Sequence, residues 1–281
     1  MIPWSDLQER GKKMALAPFR DLKSNVSKYD LVREITITDF KLKYKNSVIG
    51  YLWSLLAPLS MLATLYVVFS IIMKMDVEHY QLFLLLGILL WNFFSEATTT
   101  SMRSLVDKAN LIKKLNFSKT IIVLSSCLTA SMTLILNLFV FLLFMAVFKV
   151  GLGFSALILP LYLAELFILA LGLSFGLSAL YVRYRDILHI WEVLLVIGFW
   201  ITPIIYPISQ VSSRWVRWYH LNPMGRIIND SRDALIFRFA PNILDFGSFK
   251  HYLITLFMTL GVLIVGYAVF KAMSPRFAEE I

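Results

Sequence analysis

The sequence predicts an all-α polytopic membrane protein. It has six transmembrane helices, an N-terminal amphipathic interface helix and short re-entrant helices between spans five and six. Three observations lead there. Of the 281 residues 58% are apolar and only 16% charged, with a mean hydropathy of +0.72. Soluble domains carry roughly 45–50% apolar residues even with Gly counted, and a soluble fold of this size cannot hide the excess. The apolar residues gather in six long runs with few or no charges, and Lys and Arg are distributed unevenly among the intervening segments. The same figures exclude a disordered chain, a collagen and a coiled coil.

A hydrocarbon layer ~30 Å thick takes about 20 helical residues to cross. The spans are accordingly expected at 48–72, 81–102, 120–148, 158–181, 190–210 and 252–270. The second run holds one charge, Glu96, and the fourth holds one, Glu165; the fifth is uncharged from Val193 onward, and the other three hold none. Residues 1–47 form an N-terminal segment, 48–270 the membrane domain and 271–281 a C-terminal tail. No apolar run followed by a small-residue cleavage site lies in the first 45 residues, so no removable signal peptide is expected.

Charge sets the orientation. The segments 1–45, 103–119, 181–192 and 271–281 hold 19 Lys and Arg, whereas 74–80, 149–157 and 214–250 hold 8. The excess marks the cytoplasmic side, which places both termini in the cytoplasm. The net charge of +9 is therefore read as this bias and not as a nucleic-acid footprint.

Two segments need separate treatment. In Ile35-Thr36-Ile37-Thr38 the alternation has period two and reads as a strand. A lone strand would have no partner for its edges, and Leu31, Ile35 and Leu42 also form a helical stripe. An amphipathic helix in the cytoplasmic interface is expected. The outer region 211–250 is long for a loop. It opens with Arg214-Trp215-Val216-Arg217-Trp218-Tyr219 and continues through an interleaved apolar and charged stretch, Met224–Phe239. With Pro203 and Pro207 just upstream to interrupt the fifth span, short helices dipping into the outer leaflet are expected.

Familiar catalytic constellations are missing from the sequence. It contains no G-x-x-x-x-G-K-[ST] phosphate loop, and its four histidines are scattered without metal-ligand spacing. Cys127 is alone, so no disulfide framework is expected. The expectation is a conduit that takes its energy from elsewhere, with no cofactor in this chain and no metal site.

Five sequence blocks carry a family likeness. The stretch Tyr44-Lys45-Asn46-Ser47-Val48-Ile49-Gly50-Tyr51-Leu52-Trp53-Ser54-Leu55-Leu56-Ala57-Pro58-Leu59 resembles the entry to the first span of permease subunits of type-2 ABC exporters for polysaccharide, O-antigen or teichoic acid. Leu90-Trp91-Asn92-Phe93-Phe94-Ser95-Glu96 is similar to their second span, and Asn110-Leu111-Ile112-Lys113-Lys114-Leu115-Asn116-Phe117 to the helix after it. Tyr184-Arg185-Asp186-Ile187 and Asn222-Pro223-Met224 resemble later short motifs. One departure is Ser118, where many relatives have Pro, which leaves the start of the third span open.

The resemblance implies a homodimeric permease working with two copies of a separate ATP-binding subunit, which would hold ATP and Mg. The substrate implied is a polysaccharide carried on undecaprenyl pyrophosphate. Asn110, Leu111, Ile112, Lys113 and Lys114, with Arg185 and Asp186, are then candidates for coupling to the ATPase. Trp215, Trp218, Asn222, Pro223 and Met224 are candidates for an outer gate.

The residues add their own reading. Trp91 lies about 15 Å of helix rise from Gln81, near mid-bilayer, where Trp is unusual. With Tyr51, Trp53, Phe199, Trp200 and Tyr206 it is a candidate to line a path, because aromatic faces stack on the apolar faces of sugar rings. Glu96, in the inner third of its span, is expected in a structural or gating pair. Arg33, Lys41, Lys43 and Lys45 are candidates to attract a pyrophosphate at the inner mouth. Gly172 and Gly176 give the fourth span a small-residue face, expected to pack within one protomer. The alternatives to a polysaccharide exporter are an ABC exporter of a drug or small lipid and, in another class, a membrane-embedded glycosyl or prenyl-phosphate transferase.

Overall fold

The computed structural model describes residues 28–45, 50–114, 118–212, 214, 221–237 and 246–280, and every regular element among them is helical. Among the described residues five helical stretches are long and apolar enough to cross a membrane: Leu52–Ile72, Tyr80–Asp107, Thr120–Val147, Phe154–Arg183 and Tyr252–Arg276. A sixth apolar helix, Ile187–Ile201, is shorter.

In chain order α1 is Lys28–Tyr44, α2 is Leu52–Tyr66 with a π-helical extension Val67–Ile72, and α3 is Tyr80–Asp107. Then come α4 (Ala109–Lys114), α5 (Thr120–Val147), α6 (Leu159–Arg183) and α7 (Ile187–Ile201). The last are α8 (Pro223–Arg232), with a π-helical extension Asp233–Phe237, α9 (Phe246–Met273) and the short α10 (Phe277–Glu280).

α3 is the axis of the molecule. Its most apolar window is 78% buried, against 17–39% for the other crossing helices, and α2, α5, α6, α7 and α8 all pack on it. The remaining helices keep broad apolar faces exposed, such as Phe139 and Leu143 on α5 or Phe257, Ile264 and Val265 on α9. That distribution suits a lipid environment, where the outer surface need not be polar.

Close approach is built from small residues. At Gly266 an added Cβ would sit 1.9 Å from the Gly172 carbonyl oxygen, and at Gly172 one would sit 2.6 Å from the Leu263 Cα. The glycine face of the fourth long helix therefore packs on α9 within this chain. Between α3, α5 and α6, Ser101 lies 3.1 Å from the Cys127 sulfur, which in turn contacts the Ser174 hydroxyl at 3.4 Å.

The alternation at Ile35–Thr38 folds as a helix because α1 docks lengthwise on α5. Leu31 and Ile35 are buried against Ile121. Beside them runs a polar stripe on α5 at four-residue spacing. The Ser125 hydroxyl donates to the Val32 carbonyl (3.4 Å) and the Thr129 hydroxyl to the Thr36 carbonyl (3.3 Å). Further along, Thr133 meets Tyr44 and Asn137 accepts from Tyr51, both at 3.3 Å.

The fifth apolar run does not continue as one helix to residue 210. α7 stops at Ile201, because the pyrrolidine ring of Pro203 clashes with a continuing helix and lacks an N–H. The irregular stretch that follows is buried at Thr202, Ile204 and Ile205, where bare carbonyls cannot reach water. Arg232, 1% exposed, supplies the missing donors. Its Nη1 donates to the Pro203 carbonyl and its Nη2 to the Ile204 carbonyl, both at 2.7 Å. Its Nε donates to the Phe83 carbonyl at 3.0 Å, and its Cζ lies 3.4 Å above the centroid of the Phe83 ring. The Tyr80 hydroxyl donates to the Ile205 carbonyl at 2.8 Å. Gly87 leaves room for the guanidinium: a Cβ there would lie 2.4 Å from Arg232 Nη2.

Replacing Arg232 by Met leaves the Pro203 and Ile204 carbonyls buried without their donors, each worth ~1–3 kcal/mol. A loss of more than about 3 kcal/mol is expected, read as a lowered unfolding midpoint of the detergent-purified full-length protein. Lys should rescue only in part, since an ammonium cannot reproduce the planar fork.

Candidate functional site

A cavity of about 920 Å³ opens beside α3. Its floor is one face of α3, on which Trp91, Asn92, Ser95, Glu96 and Thr99 follow one another at helical spacing. One wall comes from α2 through Trp53, Ser54 and Ala57, the other from α7 through Leu195, Phe199 and Trp200. The end of α1, with Lys43 and Tyr44, closes one end together with Thr133 and Asn137 of α5.

Its two ends differ chemically. At one end Trp91 meets Phe199 edge to face at 6.0 Å, and Phe199 meets Trp200 in the same way at 5.7 Å. Trp91 and Phe199 are nearly buried, whereas Trp53 and Trp200 stand exposed. The Trp91 ring reaches α7 because residue 198 is glycine: an added Cβ would lie 2.9 Å from its Cη2 atom. Trp191 is fixed nearby by its indole N–H, which donates to the Thr98 hydroxyl at 3.0 Å.

At the other end Glu96 finds its partner. Lys43 Nζ donates to Glu96 Oε1 at 2.5 Å and to the Thr133 hydroxyl at 3.1 Å. The pair joins α1, α3 and α5 at the polar mouth of the cavity. Two more ion pairs lie along the same side, Lys108 with Asp39 and Arg103 with Glu192, the latter at 3.3 Å. They fasten α1 and α7 to the far end of α3.

Four of the six aromatics singled out from the sequence, Trp53, Trp91, Phe199 and Trp200, line this cavity. Tyr51 and Tyr206 are not among its walls. Tyr51 donates to Asn137 Oδ1. Tyr206 turns back on the end of α7 and donates to the Trp200 carbonyl at 3.2 Å and the Ile201 carbonyl at 2.9 Å.

Of the cationic candidates Lys43 is engaged with Glu96, while Arg33, Lys41 and Lys45 are exposed. Asn110 to Lys114 lie in the six-residue helix α4, where Ile112 packs inward and Asn110 and Lys113 face outward. Arg185 and Asp186 are exposed at the start of α7, with the Arg185 guanidinium 5.0 Å from the Tyr181 ring centroid.

Trp215 and Trp218 lie outside the described residues. Asn222 caps α8: its Oδ1 accepts from the Gly225 N–H at 3.2 Å and its Nδ2 donates to the Thr202 hydroxyl at 3.1 Å. Pro223 takes the first helical position, where its missing N–H is harmless, and Met224 is buried.

Sequence reasoning missed three contributors. The stripe Ser125, Thr129, Thr133 and Asn137 was visible as a four-residue polar period in an uncharged span. Arg232 offered only a weak signal, a cation beside the apolar run Ala234–Phe237. Gly198 carried no signal of its own, since its role depends on which helix passes it.

The fold and the cavity define a class: a multi-pass helical membrane protein with a mixed aromatic and polar cavity. Residues 30–236 match the family described as ABC-2 type transporter, and the chain belongs to that family. It is similar to the O-antigen export system permease protein RfbA of Klebsiella pneumoniae, at 30% identity over 255 residues, 89% of this chain and 95% of that protein. A protein of the same name from Myxococcus xanthus is 26% identical over 188 residues, 66% of this chain and 72% of the relative.

The Lys43–Glu96 pair predicts a measurable coupling. Lys43→Gln and Glu96→Gln in a double-mutant cycle should give roughly 0.5–1 kcal/mol of interaction, the scale for a partly exposed pair. The charge-swapped double variant should recover most of it in thermal unfolding of the purified chain. Additive losses would show the pair to be energetically idle.

Proposed function

We propose that this protein is the membrane permease subunit of an ATP-driven ABC exporter. Its cargo is an undecaprenyl-pyrophosphate-linked polysaccharide of the O-antigen type, moved across the bacterial inner membrane. The observation that carries this reading is the cavity, with aromatic faces at one end and hydroxyl, amide and charged groups at the other. Sugar rings present apolar C–H faces and a rim of hydroxyls, so both kinds of wall find a match, and such contacts tolerate many sugars.

In this reading two copies of the chain join two copies of a separate ATP-binding subunit, and this chain hydrolyses no nucleotide itself. Six crossings with both termini in the cytoplasm follow the 19-to-8 partition of Lys and Arg. The fifth crossing is α7 plus the irregular stretch after it. The ATPase pushes on α4, around Asn110, Leu111, Ile112, Lys113 and Lys114, and on Arg185 and Asp186. Arg33, Lys41 and Lys45 attract the pyrophosphate, and Glu96 releases Lys43 as the inner mouth opens. Asn222, Pro223 and Met224 form part of the outer gate, a role we also assign to Trp215 and Trp218.

A drug or small-lipid exporter on the same fold would not depend on stacking faces. The double variant Trp91→Ala and Trp200→Ala separates the two. We expect surface polysaccharide to fall at least about ten-fold, which needs only ~1.4 kcal/mol of lost interaction, while lipid-linked polysaccharide accumulates inside. Unchanged export by a stably inserted variant would reject the stacking path.

Charge reversal at Lys113 and Lys114 tests the coupling assignment. The variant should insert and assemble normally, yet ATP hydrolysis by the complex should no longer respond to substrate. Normal stimulation would place the contact elsewhere.

A further inference from the structure

A second cavity, of about 340 Å³, lies where α5 begins and α9 ends. Its size is at the lower end of the ~300–1,000 Å³ typical of small-ligand sites. Thr120 opens one membrane-crossing helix and Lys271 lies in the last turn of another, so the cavity sits at the boundary between the apolar spans and their polar flank. That placement holds whichever side of the membrane it faces.

Its lining is cationic and rich in hydroxyls: Lys119, Lys271, Ser118, Thr120, Ser274 and Tyr267. No carboxylate lines it. Lys43, Lys108 and Arg103, near the ends of α1 and α3, are by contrast each matched by a carboxylate. Among the described residues Lys119 and Lys271 form no ion pair. Lys119 Nζ donates to the Ser274 carbonyl at 2.6 Å and lies 5.5 Å from the Phe277 ring centroid. Both partners are neutral and leave its charge uncompensated. The Ser118 and Thr120 hydroxyls are hydrogen-bonded to each other at 2.5 Å, which leaves one hydroxyl hydrogen of the pair for a ligand.

We propose that this cavity binds a phosphate ester of the kind an anionic phospholipid headgroup presents at the membrane surface. Two ammonium groups and neighbouring hydroxyls suit a phosphate that carries one negative charge and several acceptor oxygens. Basic pockets between crossing helices at the membrane surface are suited to anionic lipid headgroups, to which each lysine adds a favourable contribution. The ligand would bridge the start of α5 to the end of α9, which Lys119 already ties together through Ser274. This inference is independent of the exported cargo and does not use the large cavity.

The test is native mass spectrometry of the full-length chain in detergent, with phosphatidylglycerol and phosphatidylcholine of equal acyl length added together. The wild type should retain phosphatidylglycerol preferentially. Lys271→Gln should lower that retention about five-fold and the double variant with Lys119→Gln further still, at about five-fold per lysine. The paired Lys→Arg variant should restore it. Lys271 is exposed and engages Ser274 only through its backbone carbonyl, so its single variant keeps the test valid if Lys119→Gln misfolds. Failure of glycerol 1-phosphate at equal concentration to displace the lipid supports a lipid ligand, whereas full displacement reassigns the site to a soluble phosphate ester. Equal phosphatidylglycerol retention by wild type and Lys271→Gln overturns the proposal.

Discussion

A buried guanidinium holds a broken helix in place, and much of the architecture follows from it. Once Pro203 stops α7, the chain has carbonyls inside the protein that no helix can satisfy. The Arg232 guanidinium is charged, as arginine is throughout proteins. That charge is spread over carbonyl oxygens from three places in the chain: Phe83 at the start of α3, and Pro203 and Ile204 in the break, with Asn229 Oδ1 joining at 3.2 Å from α8. Irregular backbone at membrane depth is tolerated only where protein groups satisfy it, and here one side chain does most of that.

Fixing the break fixes the end of α7, and the end of α7 sets the aromatic wall. Phe199 and Trp200 are its last full turn, and Gly198 lets Trp91 press against the helix. The opposite end is fixed by different means. The polar stripe of α5 docks α1, so that Lys43 arrives beside Glu96. Each end thus has its own anchor, and both anchors bear on α3.

The helices were legible because membrane burial writes itself as long uncharged runs. The ends of those runs were less legible. Hydropathy alone carries the fifth run on past residue 201, and only Pro203 and Pro207, which act on the backbone without altering hydropathy, signal that the helix stops at Ile201. At α1 the alternation of Ile35–Thr38 was locally undecidable, and docking on Ile121 and the α5 stripe decides it. Trp91 could be singled out because a mid-span tryptophan needs a protein neighbour; that the neighbour is Gly198 depends on helix pairing across more than a hundred residues. Arg232 and Glu96 differ in the same way. A lone acid in a span announces that it needs a partner, whereas an arginine in a charged loop looks ordinary until its carbonyl acceptors are known.

The most direct test of the central claim, that the α3 cavity is the cargo's path, is site-specific photocrosslinking in exporting cells. A photoreactive residue at Asn92 or Val196, both on the cavity wall, should capture polysaccharide only while the ATPase is active. The same residue at Phe139 or Ile264, on outward apolar faces, should capture lipid alone. Equal polysaccharide capture at all four positions, or none at Asn92 and Val196, would contradict the account.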